Sequence, residues 1–156
     1  MKTKVIFTSI AVLLLMLTIT VSNGYAKSKE PKSASNSKKV LALKALTKNL
    51  EYDSAKPSIR RSYYKNLDKL AQAIKDDDYA VSLRGHADSV GRYKYNWVLS
   101  DDRAISVKKY LVSKGVKEDR VVTTPFGSTV PIATNKTAAG RQKNRRVEIE
   151  LKKISK

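Results

Sequence analysis

The chain has no cysteine, one histidine, one tryptophan and only 14 acidic residues against 32 lysines and arginines over 156 positions. Each scarcity removes a class of function. Without cysteine there is no disulfide, no thiolate metal site and no acceptor for a lipid on sulfur. A single histidine, His86, without cysteine is poor material for zinc. No G-x-S-x-G stretch marks a serine nucleophile. A hydrolase working through paired carboxylates needs acids on facing elements, and outside Asp76–Asp78 and Asp101–Asp102 the acids are scattered. These absences point away from catalysis, from a cofactor and from a metal.

What the chain does have is positive charge, +18 at pH 7. Such a charge draws a protein to polyanions of any kind, although a solvated basic surface with no dedicated partner has the same composition. The N-terminus narrows the choice. Lys2 and Lys4 precede an uncharged, mostly apolar run from Val5 to Val21, and Gly24-Tyr25-Ala26 offers small residues for cleavage. Residues 1–26 therefore read as an export signal. The alternative is an uncleaved anchor, with the run at the short edge of a spanning helix and interrupted by Thr8, Ser9, Thr18 and Thr20. Both readings place the domain outside the cytoplasm. Removing two lysines and no acids leaves 18 − 2 = +16, and an exported chain of that charge meets cell wall and lipid headgroups rather than nucleic acid.

Residues 27–39, KSKEPKSASNSKK, hold almost nothing apolar to bury and read as a basic flexible linker. The domain is expected over 40–156. Leu50 and Tyr52 alternate with polar neighbours as a first strand does. Pro57 suits the opening turn of a helix, and Ile59, Tyr63, Leu67, Leu70 and Ile74 form a helical stripe that ends at Asp76-Asp77-Asp78. Tyr79, Val81 and Leu83 alternate into Gly85. A second helix is expected over about 93–113, stopping before Gly115. Val121–Thr124 reads as a short strand, 125–145 mainly as loop, and Val147, Ile149 and Leu151 alternate with Glu148, Glu150 and Lys152 as a strand with one wet face. Strands interleaved with two helices imply helices on one face of a small sheet.

One constellation stands out. Gly85-His86-Ala87-Asp88 places a carboxylate in a glycine-flanked turn, and Arg103 comes fifteen residues later inside the second helix. At 100° per residue, Asn96, Leu99, Arg103, Val107 and Tyr110 share roughly 80° of arc, so Arg103 lies on the core side, away from Asp102 and Lys109. A guanidinium there needs a partner, and Asp88 is the near candidate. Two readings remain open at this point: an internal Asp88–Arg103 ion pair, or opposite ends of a site for a zwitterion. His86 reads as a packing or hydrogen-bonding residue rather than a catalytic base.

The order Gly-His-Ala-Asp-x-x-Gly-x-x-x-x-Asn-x-x-Leu-Ser-x-x-Arg-Ala, continued by Gly115-Val116, Gly127, Pro131, Gly140-Arg141 and Asn144-Arg145-Arg146-Val147, resembles the signature of the OmpA-like peptidoglycan-binding domain over roughly residues 46 to 152. The resemblance implies an α+β two-layer sandwich of β-α-β-α-β order, with two main helices packed on one face of a small mixed sheet. It also implies a non-catalytic function, association with the cell wall of the periplasm at or near the outer membrane. Asp88 would accept hydrogen bonds from the ammonium of the stem peptide's diamino acid, most simply diaminopimelate. Arg103 would grip its carboxylate in a two-pronged contact. Asn96 would add a neutral hydrogen bond, Leu99 and Ala87 would line the site, and Arg145 matches a further contact position. Ala87 departs from the family, where threonine is common, so one hydroxyl contact is absent. Other envelope proteins are expected partners; nucleic acid and an integral membrane barrel are not. A stator-like role would need an acid within residues 5–21, which have none. The competing expectation is a basic polyanion-binding envelope protein without a specific pocket.

Overall fold

The structure is a computed structural model in which residues 41–154 are described; the expectations for residues 1–39 lie outside them. After a helical segment at 41–46, the chain runs β1 (Leu50–Glu51), a 3₁₀ turn (Arg61–Tyr63), α1 (Tyr64–Asp76), β2 (Tyr79–Gly85), α2 (Tyr93–Ser113), a second 3₁₀ turn (Glu118–Arg120), β3 (Val121–Pro125), α3 (Ala138–Asn144) and β4 (Arg146–Lys153). Among the described residues no helix is long and apolar enough to cross a membrane.

The four strands form one sheet in the order β1-β4-β2-β3, in which β2 and β3 run parallel and the other pairs antiparallel. The expected α+β sandwich with a mixed sheet is therefore what forms. Val81 and Leu83 of β2, Val121 of β3, and Val147 and Ile149 of β4 face the helices. There they meet Leu67, Leu70, Ala71 and Ile74 of α1 and Ala104, Val107 and Leu111 of α2 in one buried cluster. The period-2 strands and the 3.6-period helices thus supply matching apolar faces. On the outer face Arg84 bridges Glu148 and Glu150, at 3.3 and 3.2 Å. Gly115 ends α2 at φ +88°, as its sequence position predicts.

One local expectation is corrected and one is refined. Pro57 does not open a helix: residues 53–60 form a loop, and helical geometry begins at Arg61. The loop is tied instead by Arg60 to Asp53, at 2.7 Å, and its backbone is used elsewhere. The stretch 125–145 is mainly loop, as expected, but α3 occupies its last third. This helix has no apolar stripe. It is fixed by the Thr137 hydroxyl, which accepts from the Gly140 N–H at 3.1 Å, and by Asn144. The Asn144 Oδ1 accepts from the N–H groups of Ile132 and Ala133, at 2.9 and 3.0 Å.

Candidate ligand-binding site

The site forms where the end of β2 meets the flank of α2. Gly85 makes that approach possible: a Cβ there would lie 1.9 Å from the Ser100 carbonyl oxygen. Beyond it the chain stays hydrogen-bonded, His86 N–H to the Arg146 carbonyl at 2.8 Å and Ala87 N–H to the Gly127 carbonyl at 2.7 Å. Asp88 then closes a side-chain turn, its Oδ1 accepting from the Val90 N–H at 3.0 Å. Asn96, from the first turns of α2, clamps this turn by donating Nδ2 to the carbonyls of Asp88 and Val90, at 3.2 and 3.1 Å. Gly91 completes it at φ +98°.

Arg103 is fully buried, on the core side of α2 as its helical position predicts. Its partner, however, is not Asp88. Nε donates to the Lys56 carbonyl at 3.1 Å, Nη1 to the His86 carbonyl at 2.9 Å, and Nη2 to the Asp53 carbonyl at 3.0 Å. The loop before α1 therefore delivers two of three acceptors, and Ala55 turns between them in the left-handed region at φ 55°. The Arg103 guanidinium also lies 5.3 Å from the centre of the Tyr52 ring. Burial takes its pKa down to about 10, still well above neutrality, so it is a cation at pH 7. The Tyr52 hydroxyl is pushed up to about 12, chiefly by burial.

Asp88 pairs instead with Arg145, Oδ2 to Nη1 at 2.7 Å, with both side chains largely buried. The direct Asp88–Arg103 ion pair is thus replaced by a carbonyl-held Arg103 beside an Asp88–Arg145 pair. Arg145 stands there because it caps α3, the helix that its sequence does not advertise. Its Nε donates to the Tyr52 carbonyl at 3.1 Å and its Nη2 to the Gln142 side chain.

All six residues singled out from the sequence, Asp88, Arg103, Asn96, Ala87, Leu99 and Arg145, line one cavity of about 130 Å³. Ala55 and Tyr95 lie on the same wall. The space suits a small polar head group rather than a sugar chain. It presents one carboxylate and two guanidiniums on fixed elements. A wider depression of about 560 Å³ along α2, lined by Ile105, Val112 and the Lys108–Glu118 ion pair at 3.2 Å among others, holds none of the six. Among the described residues, no three acids or histidines are grouped to hold a metal.

Sequence reasoning missed a second buried charge cluster on the outer face of the sheet. Arg146 is fully buried, donating to Glu148 through Nε and Nη2 and to the Val130 carbonyl at 3.3 Å. Its place in a strand that alternates into solvent gave no hint of burial; the loop after β3 covers it. That loop also brings Phe126 parallel to His86, with ring centres 5.1 Å apart. His86 packs without a hydrogen bond to either ring nitrogen, its Nε2 3.6 Å from Glu148. Burial first, and the Arg146 charge second, lower its pKa to about 4, so it is neutral at pH 7.

The model of the OmpA family matches residues 52–145. Outer membrane protein A of Bordetella avium is 45% identical over 101 residues, covering 64% of this chain and 52% of that protein. The peptidoglycan-binding protein ArfA of Mycobacterium tuberculosis is 44% identical over 87 residues, 55% of this chain and 27% of that protein. The chain thus spans about half, or less, of the length of these curated relatives. Among solved structures, the peptidoglycan-associated lipoprotein of Burkholderia pseudomallei superimposes with a TM-score of 0.65 at 25% identity, over 67% of this chain and 89% of that one.

Proposed function

The chain belongs to the OmpA family, and on that premise we propose that it is a non-catalytic module that binds peptidoglycan through the diamino acid of the stem peptide. It would hold the protein to the cell wall in the periplasm. The observation that carries this reading is the convergence of Asp88, Asn96, Arg103 and Arg145 on one small cavity. The names of two similar proteins, a peptidoglycan-binding protein and a peptidoglycan-associated lipoprotein, support the ligand class.

The chemistry rests on what the groups have left to give. Asp88 uses one acceptor site on the Val90 N–H and one on Arg145, and a carboxylate offers about four. The remaining sites accept from the ligand's ammonium. Arg103 spends three of its five N–H donors on carbonyls. The other two serve the ligand's carboxylate. Three anchors hold the guanidinium in place, so little side-chain entropy is lost when ligand arrives.

Asp88→Asn tests the site with least disturbance, because the amide oxygen still accepts from Val90 while the charge is gone. Loss of one partner from a buried charged contact typically costs about 2–5 kcal/mol, so co-sedimentation with purified sacculi should fall at least tenfold. Free diaminopimelate should compete with wild type. A folded Asp88→Asn variant that sediments like wild type would remove the site. The charge of +18 supports a second reading, non-specific binding to polyanions. That reading requires sacculus binding to collapse with salt and to ignore diaminopimelate.

A further inference from the structure

Next to the cavity, the first turns of α2 carry exposed aromatic rings, of which only Tyr95 lines the pocket. Tyr93, Tyr95 and Trp97 are 60%, 50% and 39% exposed, although large aromatic rings are ordinarily covered. Tyr93 and Trp97, four residues apart on the helix, hold their ring centres 5.9 Å apart at 32°. Trp97 is seated rather than loose: a Cβ on Gly127 would lie 3.4 Å from its backbone N and 3.6 Å from its Cε3. Gly127 is in turn bonded to the Ser100 hydroxyl, at 2.9 Å, and to the Ala87 N–H. The platform is therefore linked to the cavity wall through Gly127 and Ala87.

We propose that Tyr93 and Trp97 form a stacking platform for the amino-sugar rings of the glycan strand, a second subsite beside the stem-peptide cavity. The inference rests on the stem-peptide reading, since the glycan is covalently joined to the peptide that enters the cavity. A peptide held there keeps the attached sugar within a few residues' reach, about 3.3 Å each when extended. Sugar rings present C–H faces to aromatic faces and hydroxyls to polar groups. Asp101, one helical turn beyond Trp97, carries no hydrogen bond or ion pair among the described residues, and supplies such an acceptor. An acid on the same stripe argues against an anionic lipid surface as the occupant.

Trp97 is the only tryptophan of the chain, so its fluorescence reports the platform directly. Glycan strands freed of peptide by amidase should change its emission saturably. Trp97→Ala and Tyr93→Ala should each weaken binding to intact sacculi roughly three- to tenfold, the worth of one ring contact. Binding of free stem peptide, measured by calorimetry, should stay at the wild-type value in both, and Trp97→Phe should restore sacculus binding. Asp88→Asn should lose stem-peptide binding and keep the glycan-dependent emission change, so failure of the pocket and failure of the platform are distinguishable. The proposal is overturned if peptide-free strands leave the emission unchanged, if phosphatidylglycerol vesicles change it in their place, or if both alanine variants sediment like wild type. Tyr93, being the more exposed, keeps the test decisive should Trp97→Ala fail to fold.

Discussion

Arg103→Ala should cost the protein stability before it costs any binding. The side chain is fully buried and links three separate segments by donating to the carbonyls of Asp53, Lys56 and His86. An abandoned buried carbonyl costs about 1–3 kcal/mol. The His86 carbonyl is fully enclosed and takes the whole of that penalty; those of Asp53 and Lys56 lie in an exposed loop that water reaches once the guanidinium is gone. Adding the packing lost over the Tyr52 ring, the total should be about 3–5 kcal/mol. Against a domain stability of about 5–15 kcal/mol this is large. Urea unfolding tracked by far-UV circular dichroism measures it, with the midpoint falling and the slope unchanged. Arg103→Lys should recover less than half, because one ammonium does not reach three carbonyls on two separate segments. A loss below about 1 kcal/mol for Arg103→Ala would refute the assignment of Arg103 as the clasp of the site. Sacculus binding by Arg103 variants is therefore interpretable only at temperatures where they remain folded.

Three further outcomes are expected. His86 has its folded pKa depressed from 6.5 to about 4 by burial, so the unfolded chain binds more protons between those values. Stability should therefore fall as pH drops from about 6.5 towards 4, by no more than about 3 kcal/mol at roughly 1.4 per unit. Replacing His86 by Phe should flatten urea midpoints across that window; an unchanged slope would exclude His86 as its source. Gly85→Ala should destabilise by roughly 3 kcal/mol or more, since the new methyl meets backbone rather than a mobile side chain; a melting temperature equal to wild type would contradict the close approach. Sacculus binding at 0.5 M salt should weaken without vanishing, because short-range contacts in the cavity outlast charge attraction already screened within about 8 Å at physiological ionic strength.

The sequence displayed β2 and α2 clearly because each has an apolar face of the right period, and Arg103 could be placed on the buried side of its helix for the same reason. Helical period says which way a side chain leans, but nothing of what meets it. The carbonyls of Asp53 and Lys56 come from a loop whose path depends on Ala55 adopting a left-handed backbone, for which alanine carries no signal. α3 escaped notice because Ala138-Ala139-Gly140 has no stripe. The available clue was Thr137 three residues before Gly140, a side-chain cap that reads equally as a turn. Nothing in the sequence marks Arg146 as buried, because strand alternation puts it on the wet face, whereas the loop after β3 covers that end.

The order β1-β4-β2-β3 places the last strand of the domain in the interior of the sheet. Leu50 pairs with Val147, and Val81 with Leu151, so β4 is the element that joins β1 to β2. Until it is in place, an emerging chain has one parallel pair of strands and a detached β1, and the apolar faces of both helices lack part of their cover. Folding must close a loop of nearly the whole domain in a late step, which predicts a slow search relative to a helical protein of this size. It also makes the domain a detector of its own completion. A chain cut anywhere before residue 146 has no route to a stable sheet and remains a substrate for proteases, while release of the final strand snaps core and binding site together at once.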